Sequence, residues 1–98
     1  MKDTLIGKGV FDVLERAGLR EVSRAARIIA AWENIVGEGL VDVVKVSSLR
    51  GGVLNLIVSN HSWAQELHLL KPKIIEKVND YLGEPAVQDI RFRVRSSP

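Results

Sequence analysis

Residues 43–60, VVKVSSLRGGVLNLIVSN, constrain the fold more than any other stretch. Val44 and Val46 alternate with Lys45 and Ser47, and Leu54, Leu56 and Val58 alternate with Asn55. A period of two sends successive side chains to opposite faces of a strand, so each run has one apolar face. Gly51-Gly52 between the runs supplies the positive φ angles that a tight hairpin turn needs. Glycine pairs also occur in phosphate-binding loops. However, no GxxxxGK followed by Ser or Thr is present, and no GxGxxG leads into a helix. The stretch predicts a β-hairpin.

Helical periods flank it. Leu5, Val10, Val13, Leu14 and Ala17 form an imperfect stripe that predicts a first helix over about Thr4 to Ala17, stopped by Gly18. Gly7 and Gly9 weaken its first turns by about 1 kcal/mol each relative to Ala. Val22, Ala25, Ala26, Ile29, Trp32, Ile35 and Val36 predict a second helix over about Arg20 to Val36, with Gly37 as its C-cap. From Asn60 to Leu82 one face carries Trp63, Leu67, Leu70, Ile74, Val78 and Leu82. Pro72 inside that segment lacks an N–H and clashes with the preceding turn, which predicts a kink or split near Leu70–Lys71. Gly83-Glu84-Pro85 stops it. In the final VQDIRFRVR, Ile90, Phe92 and Val94 point inward, and Asp89, Arg91, Arg93 and Arg95 point outward.

The order helix, helix, strand, strand, two helices, strand predicts an α+β fold: a three-stranded sheet with helices packed on one face. Ninety-eight residues make one small domain. We divide it into an N-terminal helical part (1–19), a core (20–95) and a disordered end (96–98). That size leaves room for one two-layer core but not for a deep substrate cavity as well. A hydrophobic share of 46% with 27% charged residues argues against disorder. Without cysteine there are no disulfides or thiolate metal sites, in keeping with a reducing cytosol. Asp3, Lys8, Asp12, Glu15 and Arg16 break up any signal-peptide core, and no window approaches the ~18 apolar residues of a membrane span. The setting expected is the soluble cytoplasm.

Histidines, glutamate and serine crowd into NHSWAQELH, residues 60–68. Ser59, Asn60 and Ser62 are N-cap residues by type, and Ser62-x-x-Gln65 matches a capping box, so helix-start chemistry accounts for them. His61 and His68 lack the HExxH spacing that places two imidazoles one turn apart, and Glu66 faces away from His68. Trp63 and Leu67 belong to the apolar stripe, with Trp63 as its expected core anchor. No nucleophile constellation, metal-ligand set or cofactor motif stands out, so an enzyme, a metal and a cofactor are all unexpected.

The charge pattern carries more. The net +2 sits in residues 71–98, where Lys71, Lys73, Lys77, Arg91, Arg93 and Arg95 face four acids. Arg91, Arg93 and Arg95 sit about 6.6–6.8 Å apart on one face of the last strand. A charged edge that discourages sheet-to-sheet pairing accounts for the row as well as nucleic-acid binding does. Lys71 and Lys73 at the helix junction add to it. Arg20, Arg24 and Arg27 form a second row on the second helix. A solvated face paired to Glu21 or Glu33 is the plainer account of that row, and a phosphate- or partner-binding row the alternative.

Several strings, taken together, resemble one family. They are W-x-x-I-V-G from Trp32 to Gly37, G-x-L-x-L-x-V from Gly52 to Val58, and S-W-A-Q-E-L from Ser62 to Leu67. L-K-P from Leu70 to Pro72 and I-R-F-R-V from Ile90 to Val94 complete the set. In this order and spacing, over about Ala30 to Arg95, they resemble the DciA family of bacterial replicative helicase loaders. The resemblance implies a KH-like domain without ATPase chemistry of its own. It also implies a DnaB-type hexameric helicase as partner, with DNA contacted as well. Trp32, Gly37, Trp63 and Leu67 are then family-motif or core positions. The GxxG loop of nucleic-acid-binding KH domains is replaced by LHLLKPKII, and many members carry a basic extension beyond this domain. Weaker DNA binding, to single-stranded or forked DNA, is therefore expected. Two other functions remain open: a KH-like single-stranded RNA or DNA module without a helicase partner, and a self-associating scaffold. A monomer with no membrane contact is the expected form.

Overall fold

The computed structural model describes residues 18–95 throughout, together with Gly9, residues 12–14 and Arg16. Most of the expected first helix and the expected disordered end lie outside these residues; Asp12, Val13, Leu14 and Arg16 are helical. Three helices follow: α1 (Arg20–Ala30), α2 (Trp32–Val36) and α3 (Glu38–Val41). The hairpin strands are β1 (Val44–Arg50) and β2 (Val53–Val58). Helices α4 (His61–Leu69) and α5 (Lys71–Leu82) lead to β3 (Asp89–Val94).

The hairpin turns where expected, with φ of 55° at Gly51 and 80° at Gly52, values open to glycine but strained for other residues. The sheet order is β1-β2-β3, antiparallel between the first pair and parallel between the second. The α4–α5 pair makes the crossover that a parallel neighbour requires. Pro72 stands in the first turn of α5, where its missing N–H costs no helical hydrogen bond, and the split falls at Leu70.

One core lies between the helices and one face of the sheet. Val44, Leu49, Leu54, Leu56, Val58 and Ile90 meet Ile28, Trp32, Leu67, Ile74 and Val78 there, all buried. Two polar clamps tie the layers together. The Trp32 indole N–H donates to the buried Val44 carbonyl at 2.8 Å. Asn79 holds the segment before β3, donating to the Val87 carbonyl at 2.9 Å and accepting the Val87 N–H at 2.8 Å.

Four local expectations are corrected. The expected helix 20–36 breaks at Ala31, whose φ of −108° and ψ of 9° interrupt the α1 path where Trp32 reaches across to β1. The buried face of α1 follows the apolar stripe only in part, with Ala25 packed against the core. Ser23, Ile28 and Ala31 turn inward, whereas Val22 and Ile29 are exposed, because the helix rotates to bring Ile28 over the sheet. Trp63 is half-buried and outside the core, and Leu70 is exposed where the chain swings from α4 into α5, so only Leu67, Ile74, Val78 and Leu82 of that stripe are buried. The cap of α4 is Asn60, whose side chain accepts the Trp63 N–H at 2.8 Å, in place of a Ser62 capping box.

Candidate nucleic-acid interface

Among the described residues, no helix packs on the second face of the sheet. Strand register builds it in rows. Lys45 pairs with Ile57, which pairs with Arg93; Ser48 pairs with Asn55, which pairs with Arg91; Arg50 pairs with Val53, which pairs with Asp89. A bulge at Ser47 makes the middle row possible, since the register of β1 shifts between Val46 and Ser48. Strict alternation from Val44 would send Arg50 inward and Leu49 outward. The extra residue reverses this, burying Leu49 and turning Ser48 and Arg50 to the open face.

Five bases therefore share one face: Lys45 and Arg50 from β1, and Arg91, Arg93 and Arg95 from β3 and its end. Asp89 is the acid among them. Strand spacing sets Lys45 and Arg93 about 9–10 Å apart across the sheet. Between them is a shallow concavity of about 410 Å³ lined by Ser47, Ser48, Asn55, Ile57, Arg91 and Arg93. The Asn55 amide donates to Ser48 Oγ at 3.1 Å on its floor. Cations around a floor that mixes Ser47, Ser48 and Asn55 with Leu56, Ile57 and Phe92 suit phosphate oxygens.

The other predicted cations do not converge here. Lys71 stands at the α4–α5 junction with its Nζ 3.1 Å from Asp89 Oδ1. That hydrogen bond, with a second from the Ile90 N–H, holds the Asp89 carboxyl below its ordinary range. Lys73 pairs along α5 with Glu76 at 3.4 Å. Arg20, Arg24 and Arg27 belong to α1 in the helix layer, behind the sheet. Arg24 reaches neither Glu21 nor Glu33 but grips Glu84 through two bonds, Nη2 to Oε1 at 2.6 Å and Nε to Oε2 at 3.0 Å, fastening α1 to the loop after α5. Lys45 and Arg50 are the residues that the row of three arginines leaves out. Alternation in the hairpin marks Lys45 as outward, but nothing in the sequence marks the bulge that delivers Arg50.

The grip on Glu84 has a measurable signature. The hydrogen bond from Arg24 is the main cause holding its carboxyl below the ordinary 4.5, opposed by desolvation and helped by the charges of Arg24, Arg20 and Arg27. Folding thus favours the ionised form. The stabilisation is present above pH 4.5 and is lost as pH falls through the lowered folded value. With Glu84 39% exposed, solvent limits it to less than about 1 kcal/mol. Urea midpoints of wild type and Glu84→Gln are expected to differ at neutral pH and to converge under acid; a gap that persists or widens there would contradict this.

Among the described residues no group of three His, Asp or Glu side chains is placed to hold a metal ion, and no helix is long and apolar enough to cross a membrane. The family model described as "Dna[CI] antecedent, DciA" matches residues 5–92. A UPF0232 protein of Mycobacterium tuberculosis is 19% identical over 93 residues, covering 95% of this chain and 50% of the relative. One from Mycobacterium ulcerans is 22% identical over 93 residues, covering 95% and 50%. A third, from Rhodococcus jostii, is 24% identical over 71 residues, covering 72% and 38%. The chain spans about half the length, or less, of these curated relatives.

Proposed function

Since the chain belongs to the DciA family, we propose that it is a non-enzymatic adaptor of DNA replication, acting in the cytoplasm, that binds a DnaB-type replicative helicase and helps to load it on DNA. The family match over residues 5–92 carries this reading. The strand-and-helix order β1-β2-α4-α5-β3 supports the KH-like character implied by the sequence motifs. DNA is the second partner, met on the open sheet face by Lys45, Arg50, Arg91, Arg93 and Arg95. Spread over the open face, these five cations favour weak contact with the phosphate backbone. Lys71, tied to Asp89, contributes less than its charge alone implies.

The test is binding to the cognate helicase by interferometry, with and without single-stranded DNA. Association at micromolar concentration or tighter, strengthened when DNA is present, is expected. No association at tens of micromolar would overturn the adaptor. Retained DNA binding would then leave the nucleic-acid module, a reading that the five-cation face supports by itself.

A further inference from the structure

The two edges of the sheet are treated differently. On β1, Ser59 N–H bonds to the Val43 carbonyl, so the Val44 carbonyl turns away from β2 to the edge, where the Trp32 indole takes it at 2.8 Å. On β3, the last strand of the sheet, no described residue pairs with the edge. Asp89 N–H bonds to the Gly52 carbonyl at 3.2 Å and Arg95 N–H to the Val58 carbonyl at 2.9 Å, so the odd-numbered residues face β2. In a parallel ladder the N–H and C=O of one residue turn to the same neighbour, and Ile90, Phe92 and Val94 therefore present theirs to the edge. The Ile90 N–H helps to hold the neighbouring Asp89 carboxyl ionised. Those of Phe92 and Val94 are directed outward, beside a concavity of about 470 Å³ between β3 and α4 lined by Ala64, Gln65, His68, Ile90, Arg91 and Phe92, among others.

We propose that this edge takes an extended acidic segment of a partner protein, which adds to the sheet as a fourth strand beside β3. Three observations select that occupant. The edge alternates donors with acceptors at the repeat of a peptide, whereas a phosphate backbone offers acceptors and would leave the Phe92 and Val94 carbonyls unanswered. On the open face the added strand places every second side chain about 4.5–5.5 Å from Arg91, Arg93 or Arg95, where acids are attracted and bases repelled. The intervening side chains face the concavity, where Ala64, Ile90 and the Phe92 ring, edge-on to the His68 imidazole at 6.4 Å, offer apolar contacts beside the polar His61, Gln65 and Lys71, so small apolar side chains suit these positions. The partner segment therefore alternates acidic and apolar residues. A second copy of this chain fits poorly: β3 against β3 opposes arginine with arginine, and β1 would bring Lys45 and Arg50.

The test titrates ¹⁵N-labelled protein with a blocked peptide alternating Glu and Val, with the Lys-Val equivalent, and with oligothymidylate. The Glu-Val peptide is expected to shift the Phe92 and Val94 amides saturably, and the Lys-Val peptide to leave them in place. Val94→Pro removes an edge-facing N–H without touching the ladder to β2 and should weaken binding at least tenfold. The pair Arg91→Gln and Arg93→Gln should weaken it about tenfold, a second route should the proline variant not fold. The proposal is overturned if the shifts fall elsewhere, if a folded Val94→Pro or the arginine pair binds as wild type does, or if oligothymidylate and not the peptide moves the edge amides. No probe contains the helicase, so the outcome is separate from that of the adaptor.

Discussion

Trp32→Ala is expected to be the most damaging single substitution among the described residues, lowering stability by about 3–5 kcal/mol. For a domain of this length that is a large part of the total, about 5–15 kcal/mol. Two losses combine. Trp32 is 4% exposed and packed among Ile28, Ile35 and Val44, so truncation leaves a cavity under α1 and α2. It also orphans the Val44 carbonyl, which the ladder to β2 cannot satisfy because it points to the outer edge of β1. Trp32→Phe separates the two by keeping most of the ring volume while removing the donor, and should cost about 1–3 kcal/mol. Urea denaturation measures both, with an unchanged slope showing that the folded state is the same. A Trp32→Phe protein as stable as wild type would mean that the indole N–H contributes packing geometry alone. An Ala variant losing less than about 2 kcal/mol would mean that the site collapses around the gap.

Trp32 also shows where sequence patterns reach their limit. The hairpin, the break before Pro72 and the inward set of Ile90, Phe92 and Val94 are legible because each depends on local chemistry: positive φ at glycine, the missing N–H of proline, the period of a strand. The orientation of α1 is not of that kind. Its apolar stripe of Val22, Ala25 and Ile29 is as good a core face as the one that forms, and docking of Trp32 and Ile28 on β1 decides between them, leaving Val22 and Ile29 exposed. Trp63 is a similar case. It heads a helical stripe by spacing, but Asn60 starts α4 at an angle that carries Leu67 into the core and leaves the indole at its margin.

The candidate interface divides along the same line. Arg91, Arg93 and Arg95 are readable from alternation alone, because a strand of known phase has only two faces. Their joining with Lys45 and Arg50 needs the sheet order, the parallel pairing of β2 with β3 and the bulge at Ser47. The row Arg20, Arg24, Arg27 looks equally basic in one dimension. In three it lies behind the sheet, with Arg24 committed to Glu84, sixty residues further along the chain.

That convergence sets the size of the second large effect. If the open face binds single-stranded DNA through five phosphate contacts, log affinity should fall against log salt with a slope of about −3.5, at −0.7 per contact. Affinity then drops about a hundredfold between 50 and 200 mM salt, as the slope requires. Changing Arg91, Arg93 and Arg95 to Gln together should bring the slope to about −1.4, and adding Lys45→Gln and Arg50→Gln should bring it near zero. Stability should hardly move, because Lys45, Arg50, Arg91, Arg93 and Arg95 are all exposed. The control is Arg20→Gln with Arg27→Gln, which removes two charges from the helix layer and is expected to leave the slope unchanged, apart from a small loss of overall attraction. Fluorescence anisotropy with a labelled oligothymidylate across a salt series reads all of these. A slope that survives the fivefold change, or that falls with the α1 control, would move the interface off the sheet. The arginine face would then have no part in DNA binding, though it would still keep β3 from pairing with cationic strands of its own kind.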